Sequence, residues 1–198
     1  MEKVKKKRRK LPSEAQPIRN RVDLEEFGKK LKERDEKYFV LLRLGVTTGL
    51  RISDILNLKV SDVLGKSHIT ITEKKTKKKK TFKLNSKVRN LCEEFVIERD
   101  LEDDDYIIYS NKKDKDNNNK AISRFQAYRV LNEVGTELGL ESIATHTLRK
   151  TFGYWHYKQF NDVALLQKMF NHSSPSITLT YIGITQDEID RTMEEFDI

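Results

Sequence analysis

The chain has a single cysteine, Cys92, in 198 residues. No intramolecular disulfide can form, which fits a reduced compartment and excludes a disulfide-stapled scaffold. Cys92 falls among Val88, Leu91, Phe95 and Val96, so a buried helix position is expected. No apolar run is long enough to span a membrane. The basic start is followed by Leu11 to Pro17, not by an apolar stretch, so no secretory signal is expected and the expected location is cytoplasmic. Internal repeats are missing. Metal-ligand spacing is missing too: Glu102, Asp103, Asp104 and Asp105 are consecutive, point in different directions and have no His or acid partner at useful spacing. A solvated turn is expected there, and no metal.

Charge is plentiful but unevenly placed. Hydrophobic residues make up 36% and charged residues 35%, with a formal net charge of +8. Residues Met1 to Lys10 hold seven Lys or Arg and one Glu, so most of the excess lies in the first ten positions. The body is close to balanced, and any basic face on it must come from segregation. A second basic block, Lys74 to Lys80, interrupts the middle of the chain, while Gln186 to Ile198 holds six acids against Arg191. A basic arm, a basic tip and an acidic end point to a polyanion on one side and a protein contact elsewhere.

Residues 1–20 read as a disordered arm, a charge block followed by Pro12 and Pro17. It is either a solvated tail or a phosphate-contacting arm. Asp23 with Glu26 predicts a capping box opening a helix, with Leu24, Phe27 and Leu31 on one face. A second helix is predicted over Glu36 to Thr47, stopped by Gly49, and a third from about Ser53. Alternation predicts strands at His68–Thr72 and Thr81–Leu84, and Tyr106-Ile107-Ile108-Tyr109 reads as a third, short strand. Helical spacing returns at Val88–Val96, from Ser123 to Leu138, from Thr145 to about Phe160, over Val163–Phe170 and over Gln186–Phe196, with a turn of helix near Ser176–Tyr181. The expected class is α+β: mainly helical, with a small three-stranded antiparallel sheet.

Five residues stand out for chemistry on a phosphate. Arg51 lies in Thr48-Gly49-Leu50-Arg51, at a helix–turn–helix junction where free N–H groups gather. His146 and Arg149 are three apart and share a helix face. His172 follows Asn171, and Tyr181 comes nine positions later. Arginine meets phosphate with a planar, permanently charged fork. Histidine moves protons near neutral pH. Tyrosine can be a covalent nucleophile, but a free phenol has a pKa of about 10, so it needs a base or cationic neighbours. His68 and His156 read as structural or surface residues.

The order of these residues, and the local wording of Thr48-Gly49-Leu50-Arg51, Thr145-His146-Thr147-Leu148-Arg149-Lys150-Thr151-Phe152 and His172 to Tyr181, resemble the catalytic domain of tyrosine recombinases, the phage-integrase family. The likeness runs from about Arg21 to Ile198, which defines the expected catalytic domain. Asn171 departs from the family's usual Gly before the second histidine, and Asn is the residue that best replaces Gly at positive φ. The resemblance implies a site-specific recombinase that cleaves and rejoins double-stranded DNA through a 3′-phosphotyrosyl link. Tyr181 would be the nucleophile, Arg51 and Arg149 the phosphate clamp, His172 a hydrogen-bond donor, and His146 the base. The family places an essential lysine in the turn between two strands. Lys75, followed by Thr76, fits best, with Lys74 and Lys77 as rivals. Lys74, Lys77, Lys78 and Lys150 are expected to touch DNA, and Asp54 is a candidate partner for an arginine. No cofactor is implied. A tetrameric synapse on DNA, a monomer in solution and a nucleoid-associated location are implied. The layout resembles compact members without a separate core-binding domain, and equally a fragment of a longer integrase that has one. The rival readings are a type IB topoisomerase-like nicking-closing enzyme and a non-catalytic DNA-binding regulator.

Overall fold

The computed structural model describes residues 14–72, 79–113, 115, 119–184 and 192–197. Eight α-helices are built in order: α1 Arg21–Arg34, α2 Glu36–Thr48, α3 Ile52–Ile55, α4 Ser86–Glu98, α5 Arg124–Glu137, α6 Thr147–Phe160, α7 Val163–Phe170 and α8 Pro175–Ile182. A 3-10 turn, Val60–Asp62, leads into strands β1 His68–Thr72 and β2 Lys79–Lys83. The strands pair antiparallel, with His68 opposite Lys83 and Thr72 opposite Lys79.

Helix boundaries follow from local chemistry. Asn20, not Asp23, caps α1: its side chain accepts a hydrogen bond from the Val22 N–H. Asp35 ends α1 with extended backbone and caps α2 by accepting from Lys37 N. Ser123 caps α5 and Ser174 caps α8, the latter with Pro175 pre-set for the first turn. Asn161 and Asn171 end α6 and α7 at φ 52° and 59°. Asn171 thus holds the left-handed conformation expected of it.

The expected third strand does not form. Tyr106 and Tyr109 make isolated bridges to Lys59 and Ala121. Ile107 N–H donates to the Leu58 carbonyl, whereas the Ile108 carbonyl accepts from Ile122. Two different partners share four residues, so neither ladder extends, and the described sheet has two strands. The acidic run is a turn, as expected, in which Asp105 accepts from the Glu102 N–H.

The main core gathers Phe27, Leu31, Leu41, Leu44, Val88, Cys92, Phe95, Leu131 and Val134 from α1, α2, α4 and α5. Cys92 is fully buried, and burial pushes its thiol up to about 12. A second, smaller cluster contains Phe152, Leu166, Phe170 and Ile182, from α6, α7 and α8. Helix α6 joins the two: Leu148 belongs to the first and Phe152 to the second. Every residue from Thr147 to Tyr154 is buried, so this helix is covered on all sides through its first two turns. Gly153 makes the close approach possible, because a Cβ there would lie 2.9 Å from the Phe170 ring.

Part of the expected arm is ordered. Residues 14–20 lie along α6: the Ile18 N–H donates to Thr151 Oγ1 at 2.9 Å, and Trp155 Nε1 donates to the Ile18 carbonyl at 3.0 Å. Ile18 is 3% exposed. One buried isoleucine and satisfied backbone groups are enough to fix a short segment whose composition alone reads as disordered. Residues 1–13 lie outside the described part.

Candidate active site

The site forms at the seam between the two clusters, where the start of α6 meets α8 and the α2–α3 turn. Each element delivers its residue for a local reason. Gly49 ends α2 at φ 66° and turns the chain so that Arg51 becomes the N-cap residue of α3. Arg51 is exposed. His146 occupies the N-cap of α6, and Arg149 follows one turn into the helix.

Arg149 is 5% exposed and held on three sides. Its Nη1 donates to the Gly49 carbonyl at 2.5 Å and its Nη2 to the Phe170 carbonyl at 3.1 Å. The guanidinium lies 4.2 Å from the centroid of the Phe170 ring. Two carbonyls and a ring face fix its plane without neutralising its charge. Burial pulls its pKa down to about 10, which leaves it a cation at neutral pH.

Tyr181 sits one residue before the end of α8 and is half-buried. His146 Nδ1 lies 3.3 Å from the Tyr181 hydroxyl. The ring meets Phe170 edge-on at 5.6 Å and His172 at 5.1 Å between centroids. Burial pushes the phenol pKa up, while the charge and hydrogen bond of Arg149 and the charge of Arg51 pull the other way. The phenol is therefore protonated at rest and faces two cations that favour its anion.

Both histidines are set to be neutral. Burial lowers the pKa of His146 first, followed by the charges of Arg124, Arg149, Lys150 and Arg51. Burial and then Arg149 and Arg51 lower that of His172. A neutral imidazole within reach of the phenol can accept its proton. His172 is oriented by a contact of its Nδ1 with Thr178 Oγ1 at 3.1 Å, and its backbone N–H donates to Gln167. Which of the two donates depends on the imidazole tautomer.

Five of the expected residues, Arg51, His146, Arg149, His172 and Tyr181, thus converge. Asp54 shares a cleft with Arg51, Arg149 and Lys80. Lys74, Lys75, Lys77 and Lys78 lie outside the described residues. Lys80, on β2 opposite Ile71, brings a lysine to the arginine cleft, and sequence reasoning passed over it among the tip lysines.

Lys150 is not on the exposed basic surface where DNA contact was expected. It is 3% exposed, because the covered face of α6 extends through it, and its Nζ bonds Glu14 Oε1 at 2.6 Å. Its ammonium stands 5.1 Å from the centroid of the Tyr181 ring. Thr178 and Glu14 are the groups that sequence reasoning missed as neighbours of the site. His156 was expected to be structural, and it packs between Phe152 and Phe160. Among the described residues no three His, Cys, Asp or Glu side chains converge on a metal-binding group.

Comparison with known proteins identifies the family and the fold. The profile of the phage integrase family matches residues 20–188. "Probable integrase/recombinase YoeC" of Bacillus subtilis (strain 168) is 43% identical over 172 residues, covering 87% of this chain and 91% of the relative. A "Probable integrase/recombinase" of Acholeplasma phage L2 is 31% identical over 160 residues, covering 80% of this chain but 52% of the relative. Several other relatives are named tyrosine recombinases, and the chain spans about half to two thirds of their length. Among solved structures, an XerA recombinase superposes with a TM-score of 0.71 at 19% identity, covering 96% of this chain and 66% of that one. The catalytic domain of bacteriophage HP1 integrase superposes at 0.60 and 17% identity, covering 91% and 95%. The mainly helical fold with its small antiparallel sheet is the fold of these catalytic domains. With residues 20–188 matched by the family profile and a relative 43% identical over 87% of the chain, the chain belongs to the phage integrase family, the tyrosine recombinases.

Proposed function

We propose that this chain is a tyrosine-type site-specific recombinase that breaks and rejoins duplex DNA with Tyr181 as its nucleophile. The observation that carries the reading is the convergence on one phenol of a neutral imidazole at 3.3 Å and a buried, immobilised arginine. In the cleavage step the Tyr181 oxygen attacks the scissile phosphorus, and its proton passes to His146. The bond from phosphorus to the 5′-oxygen breaks, leaving a 3′-phosphotyrosyl link. A lysine of the β1–β2 hairpin, Lys75 on the family pattern, supplies the proton that the departing 5′-oxygen takes. Arg51 and Arg149 stabilise the charge that grows on the phosphoryl oxygens. His172 hydrogen-bonds a phosphoryl oxygen. The phosphotyrosine conserves the bond energy, so religation needs neither ATP nor a metal.

Strand exchange requires two DNA sites and four protomers in one synapse. Solved relatives include an XerH recombinase bound to its difH substrate and a lambda integrase tetramer bound to a Holliday junction, which supports duplex DNA and a homotetramer as partners. Binding to chromosomal DNA places the protein at the nucleoid. No described helix is long and apolar enough to cross a membrane.

The test is incubation with nicked suicide duplexes cut from the DNA that flanks the gene. A denaturant-stable adduct with a tyrosine linked to a 3′-phosphate is expected. Absence of an adduct, or cleavage that strictly requires Mg²⁺, overturns the reading. Relaxation of any plasmid without site preference would move it to a nicking-closing enzyme.

A further inference from the structure

We propose that Glu14 and Arg19 are positioning residues for the nucleophile: segment 14–20 is a strap that ties α6 to the far end of α8. This rests on Tyr181 as the nucleophile. Glu14 fixes the Lys150 ammonium beside the Tyr181 ring, and Arg19 closes the helix that carries it.

Helix α8 needs such help. It has eight residues, well below the length at which an isolated helix is stable in water. Only Thr178 and Ile182 within it are buried. Tyr181 lies in its last turn, where carbonyls lack helical partners and the chain frays first. The strap meets this weak end. Arg19 Nη2 donates to the carbonyl of Gly183, the left-handed residue that terminates α8, at 3.2 Å. The same guanidinium group bonds Gln16 Oε1 at 3.2 Å and stands 5.8 Å from the centroid of the Tyr154 ring on α6.

The strap has its own anchors. The Gln16 N–H donates to the Ser142 carbonyl at 3.2 Å. Ile18 is tied to α6 through Thr151 and Trp155. Arg21, at the start of α1, places its guanidinium 5.0 Å from the centroid of the Trp155 ring. Arg19 therefore reaches Gly183 from a fixed base, not from a free tail.

Glu14 acts on the other side of the nucleophile. The Lys150 side chain is 4% exposed, whereas that of Glu14 is 74% exposed. A pair so open on one side contributes little to global stability. Its effect is local. It sets where the ammonium stands against the phenol ring, and its negative charge offsets the positive one beside that ring and opposes ionisation of the phenol. Loss of Glu14 leaves Lys150 uncompensated, which favours the phenolate.

The two contacts therefore have separable signatures in the full chain on a saturating nicked duplex, read as the single-turnover rate of adduct formation. Arg19→Ala should slow the adduct about tenfold, in keeping with slight misplacement of a reacting group. Its DNA affinity and pH profile should be unchanged, and Arg19→Lys should restore most of the rate. Glu14→Ala should slow the adduct at neutral pH through misplacement, and should move the alkaline rise of the rate to lower pH. Thermal melting of each variant separates placement from unfolding. The proposal is overturned if both variants react at the wild-type rate with wild-type pH profiles, or if each loses rate only in proportion to unfolded protein. An unreactive wild-type protein instead overturns the assignment of Tyr181, and the strap's role with it.

Discussion

As the proposed nucleophile, Tyr181 carries the heaviest demand of any residue, since that role needs a hydroxyl both protected and reactive. Burial raises its pKa, and the arginines oppose that shift. Tyr181→Phe removes one oxygen and leaves the ring contacts with Phe170 and His172. It is expected to abolish adduct formation while DNA binding, measured by gel shift, stays within about twofold, because no phosphate contact is lost. The proton acceptor has a pH signature of its own. The pKa of His146 is lowered, so it loses base function only when the pH falls through a value below the ordinary histidine range of about 6.5. Adduct formation should therefore hold constant down through pH 7 and fall on the acid side. Arg124→Gln removes one of the charges that depress it, so the acid limb should move to higher pH. An unmoved limb would show that His146 is not the group titrating.

The lysine is settled by its leaving group, not by its position. An alcohol leaves poorly unless it is protonated, whereas a thiol, with a pKa of about 8.5, leaves as its anion. A duplex with sulfur in place of the 5′-bridging oxygen should rescue the variant that lost the general acid, and only that one. Lys75→Ala is expected to be slow on the oxygen substrate and fast on the sulfur one. Should Lys80→Ala show this behaviour instead, the acid is the lysine that shares the cleft with Arg51 and Arg149.

Among the elements, the site depends on how closely α7 and α8 seat against α6. Gly153 is where that seating is decided. A methyl group there would lie 2.5 Å from Ile182 Cγ2 and 2.9 Å from Phe170, so α8 or α7 must move out. Gly153→Ala is expected to cost about 1–3 kcal/mol in a denaturant melt, the usual range for overpacking. It should also slow the adduct more than it weakens DNA binding. Equal loss of both would show that the seating does not control Tyr181. The helices of the described residues were readable where apolar residues recur at helical spacing, as at Val88, Cys92 and Phe95 on α4, while most of the helix expected over Gln186–Phe196 lies outside the described residues. The capping residues Ser123 and Asn171 were readable from their side-chain chemistry. The third strand was misread because the apolar pair Ile107-Ile108 records burial, both side chains being covered, and not which segment pairs with it. The covered state of Lys150 was hidden for a related reason. Its burial is set by Glu14, 136 positions away, and by α8, and a contact of that separation leaves no periodic trace. The five residues that converge were legible because they are spelled out in local motifs, while Thr178 and the Gly49 and Phe170 carbonyls enter through geometry alone.

Taken as a whole, the molecule confines its strongest charge to places that the core does not need. The seven basic residues before Leu11 and those of the hairpin tip carry more positive charge than the near-balanced body. Both blocks are poor in apolar residues, so removal of residues 1–10 should leave the fold intact. Each phosphate that they neutralise releases counterions, and the dependence of log affinity on log salt has a slope of about −0.9 per contact on duplex DNA. Deleting residues 1–10 is therefore expected to weaken binding to every sequence alike and to flatten this slope, with no change in site preference. The deletion ends before Glu14 and Arg19, so the rate of adduct formation at saturating DNA should be unchanged. An unaltered salt slope would mean that the arm does not touch the duplex. A fall in the saturated rate would instead mean that the arm and the strap act as one device, in which charge drawn onto DNA at one end is felt at Tyr181 at the other.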